Sequence, residues 1–498
     1  IPVGKKPSIC YVIDFYPTDY KFIIALGYKG KFIRDFLEIS YPNRDFTFVE
    51  VDKFEGKGSG LGYTLKKCKK HINESFFFHT NDTLILDKIN FDTFNEDTIF
   101  SNQNNANCLK YRTVKVSKNH VTKLFDKTTK KLNNVYNYTG VAFVKDYKKF
   151  KKYLSKISIG LGESDYFINI LNQDKKIKNF YVNKWYDVGD IVDLRKAQKE
   201  ISDFDNLPKE DEFIYFKNNK VIKFFINKKI VLQKIIRAKN ISKFIPKIVD
   251  KKSNFFAYNY EEGELLSQKI DFNKYFNTFL IYCNDNFWQR YKLTKDKRNE
   301  FYKECLNFYY DKTIDRLNLF YQNHDIFDTE EIINHNKSPK LKVLLEKINW
   351  QEISKGIPSR FHGDFHFENI IINKNNDYKF IDWRQSFGNI IEYGDLYYDL
   401  AKLYHGIIVD HGAIRNNMFK INLSKSKRIV NYEIYRKHSS YENEITFMKF
   451  LKKYKFNIHK VKTLTALIFL NIATLHHQPY SIFLYFLGKD MINKILND

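Results

Sequence analysis

Residues 360–384 read RFHGDFHFENIIINKNNDYKFIDWR. Two apolar runs, Ile370-Ile371-Ile372 and Tyr378-Lys379-Phe380-Ile381, flank the polar segment Asn373–Asp377. That pattern predicts two short strands joined by a turn. A hairpin here returns Asp382 to the neighbourhood of Asp364 and Asn369. Two carboxylates and an amide oxygen gathered in this way suit Mg2+, a hard cation bound through oxygen. A carboxylate beside an acceptor hydroxyl, with oxygen ligands for Mg2+, is also what phosphoryl transfer from a nucleotide needs.

His-Gly-Asp, four residues, Asn369, and then Phe-Ile-Asp-Trp resembles the motif set of the aminoglycoside phosphotransferase and choline kinase family of small-molecule kinases. The resemblance implies a bilobal, kinase-like α+β domain over residues 212–498, with an N-lobe at 212–262 and a C-lobe at 263–498. It implies Asp364 as catalytic base, Asn369 and Asp382 as Mg2+ ligands, and ATP as donor.

Upstream, Glu212–Phe216 and Val221–Ile226 read as a hairpin around Lys217-Asn218-Asn219-Lys220. Lys223 lies in its second, otherwise apolar strand, where an ammonium is costly without an anionic partner. ATP phosphates would supply one. Apolar spacing predicts a helix at Lys228–Asn240. The family places a Glu there to orient its lysine; this chain has Gln233 and Arg237 instead. Lys247–Val249 and Phe255–Tyr260 read as further strands. Glu261-Glu262-Gly263-Glu264 resembles the hinge between kinase lobes, which makes Glu261 and Gly263 candidates for holding ATP. The Gly-rich lid of protein kinases is absent from this sequence. Asp395 and Asp399 open a predicted helix at about Leu396–Ile408, and Asp399 is expected to brace the base-bearing loop. A second helical pattern runs over 460–474.

The first 198 residues alternate strand and helix patterns. Strands are expected at Lys21–Gly27, Phe46–Val51 and Phe76–His79, and helices at Gly30–Ile39 and Gly62–Ile72. This rhythm predicts an α/β domain over 1–200, a mixed and mainly parallel sheet covered by helices. Several segments resemble sugar-phosphate nucleotidylyltransferases: Pro2-Val3-Gly4-Lys5-Lys6-Pro7, Gly58-Ser59-Gly60, the strand ending near Asp82, Asp126-Lys127, Asn137–Gly140, and Trp185-Tyr186-Asp187-Val188-Gly189. The resemblance implies that Gly58, Ser59 and Gly60 read a nucleobase. It implies that Asp82 and Asp187 hold Mg2+ on a triphosphate and that Lys127 contacts an acceptor phosphate. The family's first strand and Gly-rich triphosphate loop have no counterpart in residues 1–498; they are expected upstream of Ile1, or lost.

A linker is expected at 201–211, where Ser202–Asp211 breaks the pattern. At 498 residues the chain is long enough for two or more domains. The five cysteines are scattered, without Cys-x-x-Cys or His clusters, which points to reduced thiols in a cytoplasm rather than to zinc or disulfides. No apolar run approaches a membrane span. The net charge of +25 comes from lysines spread throughout, without a nucleic-acid module, so solvated faces and anionic small molecules are expected in place of a specific nucleic-acid partner.

Together the two resemblances imply a bifunctional enzyme. Its back half would phosphorylate a small alcohol, amino alcohol, polyol or sugar with ATP. Its front half would transfer a nucleotidyl group, CMP from CTP, to the resulting phosphate, for surface-polysaccharide or headgroup assembly. The alternative is a small-molecule kinase whose front half binds without catalysis. An antibiotic kinase fits less well, because nucleotidyl activation has no place in that chemistry.

Overall fold

A computed structural model of the chain describes residues 2–103, 106–130, 132–158, 161–201, 211–269 and 272–497. Most of the linker expected at 201–211 lies outside the described residues. The chain divides into two compact units. The first comprises 1–226 and 249–258, and the second 227–248 and 259–498.

The first unit opens with the helix Ser8–Phe15. The strands Phe22–Leu26 and Phe46–Glu50 then pair in parallel through the helix Gly30–Ser40, as alternating patterns require. A six-stranded sheet follows, in the order Phe76–His79, Val135–Val144, Thr98–Asn102, Ile177–Val182, His120–Phe125, Thr113–Ser117. Its central strands are buried on both faces. Ile99 and Ala142 join a core with Phe150, Tyr166 and Phe167, whereas their chain neighbours Phe100 and Val141 join one with Ile85 and Val182. This is the period of two expected of a strand.

The sheet corrects one expectation. It is mixed, but not mainly parallel. Within it only Thr98–Asn102 and Ile177–Val182 run in parallel, and the other pairings are antiparallel. The βαβ rhythm of residues 21–79 does not continue. The long strand Val135–Val144 follows the Thr113–Phe125 hairpin without an intervening helix and therefore returns antiparallel.

The strands Glu212–Lys217 and Lys220–Phe225 form the expected hairpin. Asn218 and Asn219 both take positive φ, 50° and 56°, as a two-residue hairpin turn demands. This hairpin falls within the first unit. Tyr215, Ile222, Phe224, Phe255 and Ala257 share a core with Cys10, Ile13, Phe36, Leu37 and Ile39.

The second unit contains the helix Lys228–Asn240 and a small sheet made by Gly263–Leu265, Ile370–Asn373 and Tyr378–Phe380. Around these lies an α-rich body with the helices Lys312–Asn323, Leu396–Ile408, Ile458–Ala473 and Tyr480–Asn497. The five cysteines are all free and buried. No helix among the described residues is long and apolar enough to cross a membrane.

Candidate functional site

His362 organises the second unit's site. Burial drops its ring to about 3, so it is neutral. A neutral imidazole has one donor and one acceptor nitrogen. Here Nδ1 accepts from the Asp364 N–H at 3.2 Å, and Nε2–H donates to the Ile381 carbonyl at 2.8 Å. One ring therefore ties the Asp364 loop to the residue before Asp382. The Asn369 carbonyl accepts from Ile381 N–H at 2.9 Å, and Arg384 N–H donates to the His362 carbonyl at 2.9 Å. The hairpin pairs Ile370 with Phe380. It returns the chain as its sequence pattern predicts.

Asp399 braces the loop from behind. Its two oxygens accept the His362 and Gly363 N–H groups, each at 2.7 Å, and the Trp288 indole donates to it at 3.2 Å. Burial lifts its carboxyl to about 6, while the two backbone donors, Trp288 and Arg237 oppose the rise. Gly363 adopts φ +87°, and a Cβ there would lie 2.6 Å from Arg384 Cβ, so both backbone conformation and close approach require glycine.

Asp364 meets Lys402 Nζ at 2.9 Å and His366 Nε2 at 3.6 Å. Burial would raise its carboxyl, but the Lys402 and His366 charges hold it well below the usual carboxylate range. Burial would likewise lower His366, yet the Asp364 and Glu368 carboxylates lift it to about 9. The Asp364 side chain remains 40% exposed, so a substrate hydroxyl can reach it. Asn369 donates its amide to the Asp364 carbonyl at 2.9 Å, which leaves its oxygen as the free end. Asp382 sits at φ +61°, an uncommon conformation for a residue with a Cβ.

Arg237, which stands in the helix where a Glu was sought, is 2% exposed and donates to the carbonyls of Phe361, His362 and Arg384. It clamps both ends of the motif. The helix's Lys234 and Trp383 exchange hydrogen bonds, Nζ to the Trp383 carbonyl at 2.5 Å and indole N–H to the Lys234 carbonyl at 3.1 Å. Glu261 accepts from Asn373 at 3.2 Å, and Gly263 pairs with Asn373 in the sheet. A Cβ on Gly263 would stand 2.3 Å from the Ile372 carbonyl oxygen. Both residues thus attach to the far end of the same hairpin.

Lys223 belongs to the first unit. It is 1% exposed, and Glu212 on the neighbouring strand supplies a carboxylate at 3.4 Å. Sequence reasoning sought that partner only after the hairpin. The register, with Ile214 opposite Lys223, shows why the diagonal residue Glu212 reaches it.

Elsewhere in the first unit, Asp187 ends a strand paired with Thr83–Ile85, opposite Thr83 and beside Asp82. Val188 N–H donates to the Asp82 carbonyl at 2.8 Å. A Cβ on Gly189 would meet Asp187 Oδ1 at 3.1 Å and Asp82 Oδ2 at 3.3 Å, so the two carboxylates border one small space. Tyr111 donates to Asp187 at 2.9 Å. Lys110 reaches Asp187 at 3.4 Å and also pairs with Asp190 and Asp193. Gly58, Ser59 and Gly60 form the turn before the helix Leu61–Cys68, with Ser59 Oγ donating to the Gly56 carbonyl at 2.8 Å. Lys127 is exposed after the strand His120–Phe125. Its neighbour Asp126 pairs with Arg112 at 2.7 Å.

Oxygen donors of this kind are the type that suits Mg2+, a hard cation. Among the described residues no three His, Cys, Asp or Glu side chains gather as a metal-holding group. Mg2+ characteristically takes one or two protein oxygens and completes its shell with water and substrate phosphates. Asn369 with Asp382, and Asp82 with Asp187, offer that number.

No protein-family model matches the chain, and no curated protein matches it. Solved structures do, over its N-terminal part. The solved neighbours are nucleotidylyltransferases. The CTP:phosphocholine cytidylyltransferase of Streptococcus pneumoniae is 18% identical, with 40% of this chain and 88% of that chain covered and a TM-score of 0.32. For the inositol-1-phosphate CTP transferase of T. maritima the values are 16%, 36%, 76% and 0.30. For an apo UDP-glucose pyrophosphorylase they are 15%, 40%, 88% and 0.35.

Proposed function

We propose that the second unit is a small-molecule phosphotransferase and that the first transfers a nucleotidyl group to the phosphate so formed. The observation that carries the phosphotransferase reading is the His362 ring, which fastens Asp364 and the end of the hairpin that bears Asp382 to one point. An ionised carboxylate, an amide oxygen and a second carboxylate then share a neighbourhood. Mg2+, held by Asn369 and Asp382, would supply charge neutralisation for the triphosphate.

Asp364 orients the acceptor hydroxyl. The acceptor oxygen bonds to the γ-phosphorus of ATP, the bond to the β–γ bridging oxygen breaks, and ADP leaves. A carboxylate held this far below its usual range is a weak base, so it takes the hydroxyl proton late, once the new bond acidifies it. In the first unit, a phosphate oxygen of that product attacks the α-phosphorus of a nucleoside triphosphate, and pyrophosphate leaves. Asp82 and Asp187 would hold Mg2+ there, and CTP is the nucleotide to test first.

In the full-length protein, Asp364→Asn is expected to abolish ATP-dependent ADP formation while CTP-dependent pyrophosphate release from a pre-phosphorylated acceptor continues. Asp187→Asn is expected to do the reverse. Loss of both activities in each variant would sink the idea of separate sites. A second reading, in which the front unit binds without transferring, is favoured by one feature: Lys110 already neutralises part of the Asp187 charge. Pyrophosphate release from CTP decides between the two.

A further inference from the structure

Near Asp364 lies a group of basic side chains without ion-pair partners of their own. Phe308 stacks on Phe387 at 4.4 Å and carries two of them: Lys312 Nζ lies 4.5 Å and Arg384 Cζ 4.9 Å from the ring centroid. Arg316 follows Lys312 by one helical turn and acts on it electrostatically, as do Arg384 and Lys402. Lys312, Arg316 and Arg384 form no ion pair and no side-chain hydrogen bond among the described residues. The one carboxylate acting on Lys312 among these strong influences, Asp364, is already paired with Lys402. Burial, reinforced by Arg384, Lys402 and Arg316, pushes the Lys312 ammonium down to about 6, which disfavours its charged form while no anion is beside it.

Full charge on all three groups is unfavourable in the empty protein. Like charges beside one another repel, and a half-buried ammonium needs acceptors. The aromatic ring offsets part of the cost through its π face. An arriving anion would offset the rest. A quaternary amine would meet the opposite, because its charge has the wrong sign.

We infer that the acceptor alcohol is itself an anion, its phosphate or carboxylate received by Lys312, Arg316 and Arg384 while its hydroxyl faces Asp364. This rests on the phosphotransferase reading. Nucleotide phosphates are the other source of the same chemistry, and kinetics separates them.

The test uses the full-length protein with ATP, Mg2+ and acceptors matched except for charge: glycerol, glycerate and glycerol 3-phosphate; a sugar and its sugar acid; and choline. Turnover is expected to favour the anionic members by at least about tenfold in kcat/KM. Lys312→Gln should raise the KM for that acceptor by about tenfold or more and leave the KM for ATP within about twofold. A neutral or cationic acceptor preferred by the wild type overturns the inference, as does a Lys312→Gln effect confined to ATP.

Should the wild type phosphorylate none of them, the phosphotransferase reading falls, and sulfate then probes the anion site alone. Sulfate should raise the thermal midpoint of the wild type above that in chloride at equal ionic strength, and fail to do so in the Lys312→Gln, Arg316→Gln double variant. Equal responses overturn the anion site. Loss of repulsion should leave Lys312→Gln melting at or above the wild type without ligand, so misfolding does not confound the comparison.

Discussion

At Asp382 an uncommon backbone conformation coincides with the proposed chemistry. Its φ of +61° is a conformation that glycine adopts freely and that costs other residues about 1–2 kcal/mol. Strain of this kind persists where the surroundings over-determine it, often at a functional site. Asp382→Gly and Asp382→Ala remove the same carboxylate, and only alanine keeps the Cβ. Both variants are expected to lose ATP-dependent activity. The glycine variant should be the more stable of the two by about 1 kcal/mol in denaturant unfolding. Equal stabilities would show that the conformation is not strained, and retained activity would remove Asp382 from the site. The hairpin that returns Asp382 towards Asn369 was legible in the sequence because its strand and turn signals are local. Arg237 and Lys402 were not. Their partners are the carbonyls of 361, 362 and 384 for the one and the Asp364 carboxylate for the other, and only tertiary packing brings those groups together. The sole trace of Arg237 in the sequence was a charged residue on a helix where a different charge was sought.

At the scale of elements, Gly263–Leu265 holds the hairpin by pairing with Ile371–Asn373, on the strand edge away from Tyr378–Phe380. The strands approach so closely at Gly263 that a methyl group would clash with the Ile372 backbone, which cannot swing aside, as well as with the Ile371 side chain. Gly263→Ala is therefore expected to destabilise the second unit by about 1–3 kcal/mol and to lower ATP-dependent turnover. Chemical denaturation followed by Trp fluorescence, together with ADP release, measures both; unchanged stability would mean that this strand pairing does not restrain the hairpin. Elements whose signal is local were well read. The helices Lys228–Asn240 and Leu396–Ile408 and the strand Phe76–His79 have the bounds that spacing predicts. Strand direction was not legible over 98–182. Direction there depends on which strands become neighbours, as with Val135–Val144, which pairs with three others. No local pattern encodes that choice.

For the whole molecule, the decisive fact is that the Glu212–Phe225 hairpin and the strand Phe255–Asn259 complete the core of the first unit. A boundary drawn from composition would cut at about 201, where a polar stretch breaks the pattern. Tyr215, Ile222, Phe224, Phe255 and Ala257 lie beyond that cut and cover Cys10, Ile13, Phe36 and Leu37. Burying one large apolar side chain contributes about 1.5–3 kcal/mol. Four such side chains and an alanine therefore amount to roughly 6–12 kcal/mol, which rivals the roughly 5–15 kcal/mol that holds an entire domain together. A fragment of residues 1–201 should accordingly bind a hydrophobic dye and melt without a cooperative transition. A fragment of residues 1–260, which retains the cover, should melt cooperatively and bind less dye. If 1–201 alone melts cooperatively without dye binding, the hairpin is dispensable to the first unit, and the division of the chain lies where the composition breaks.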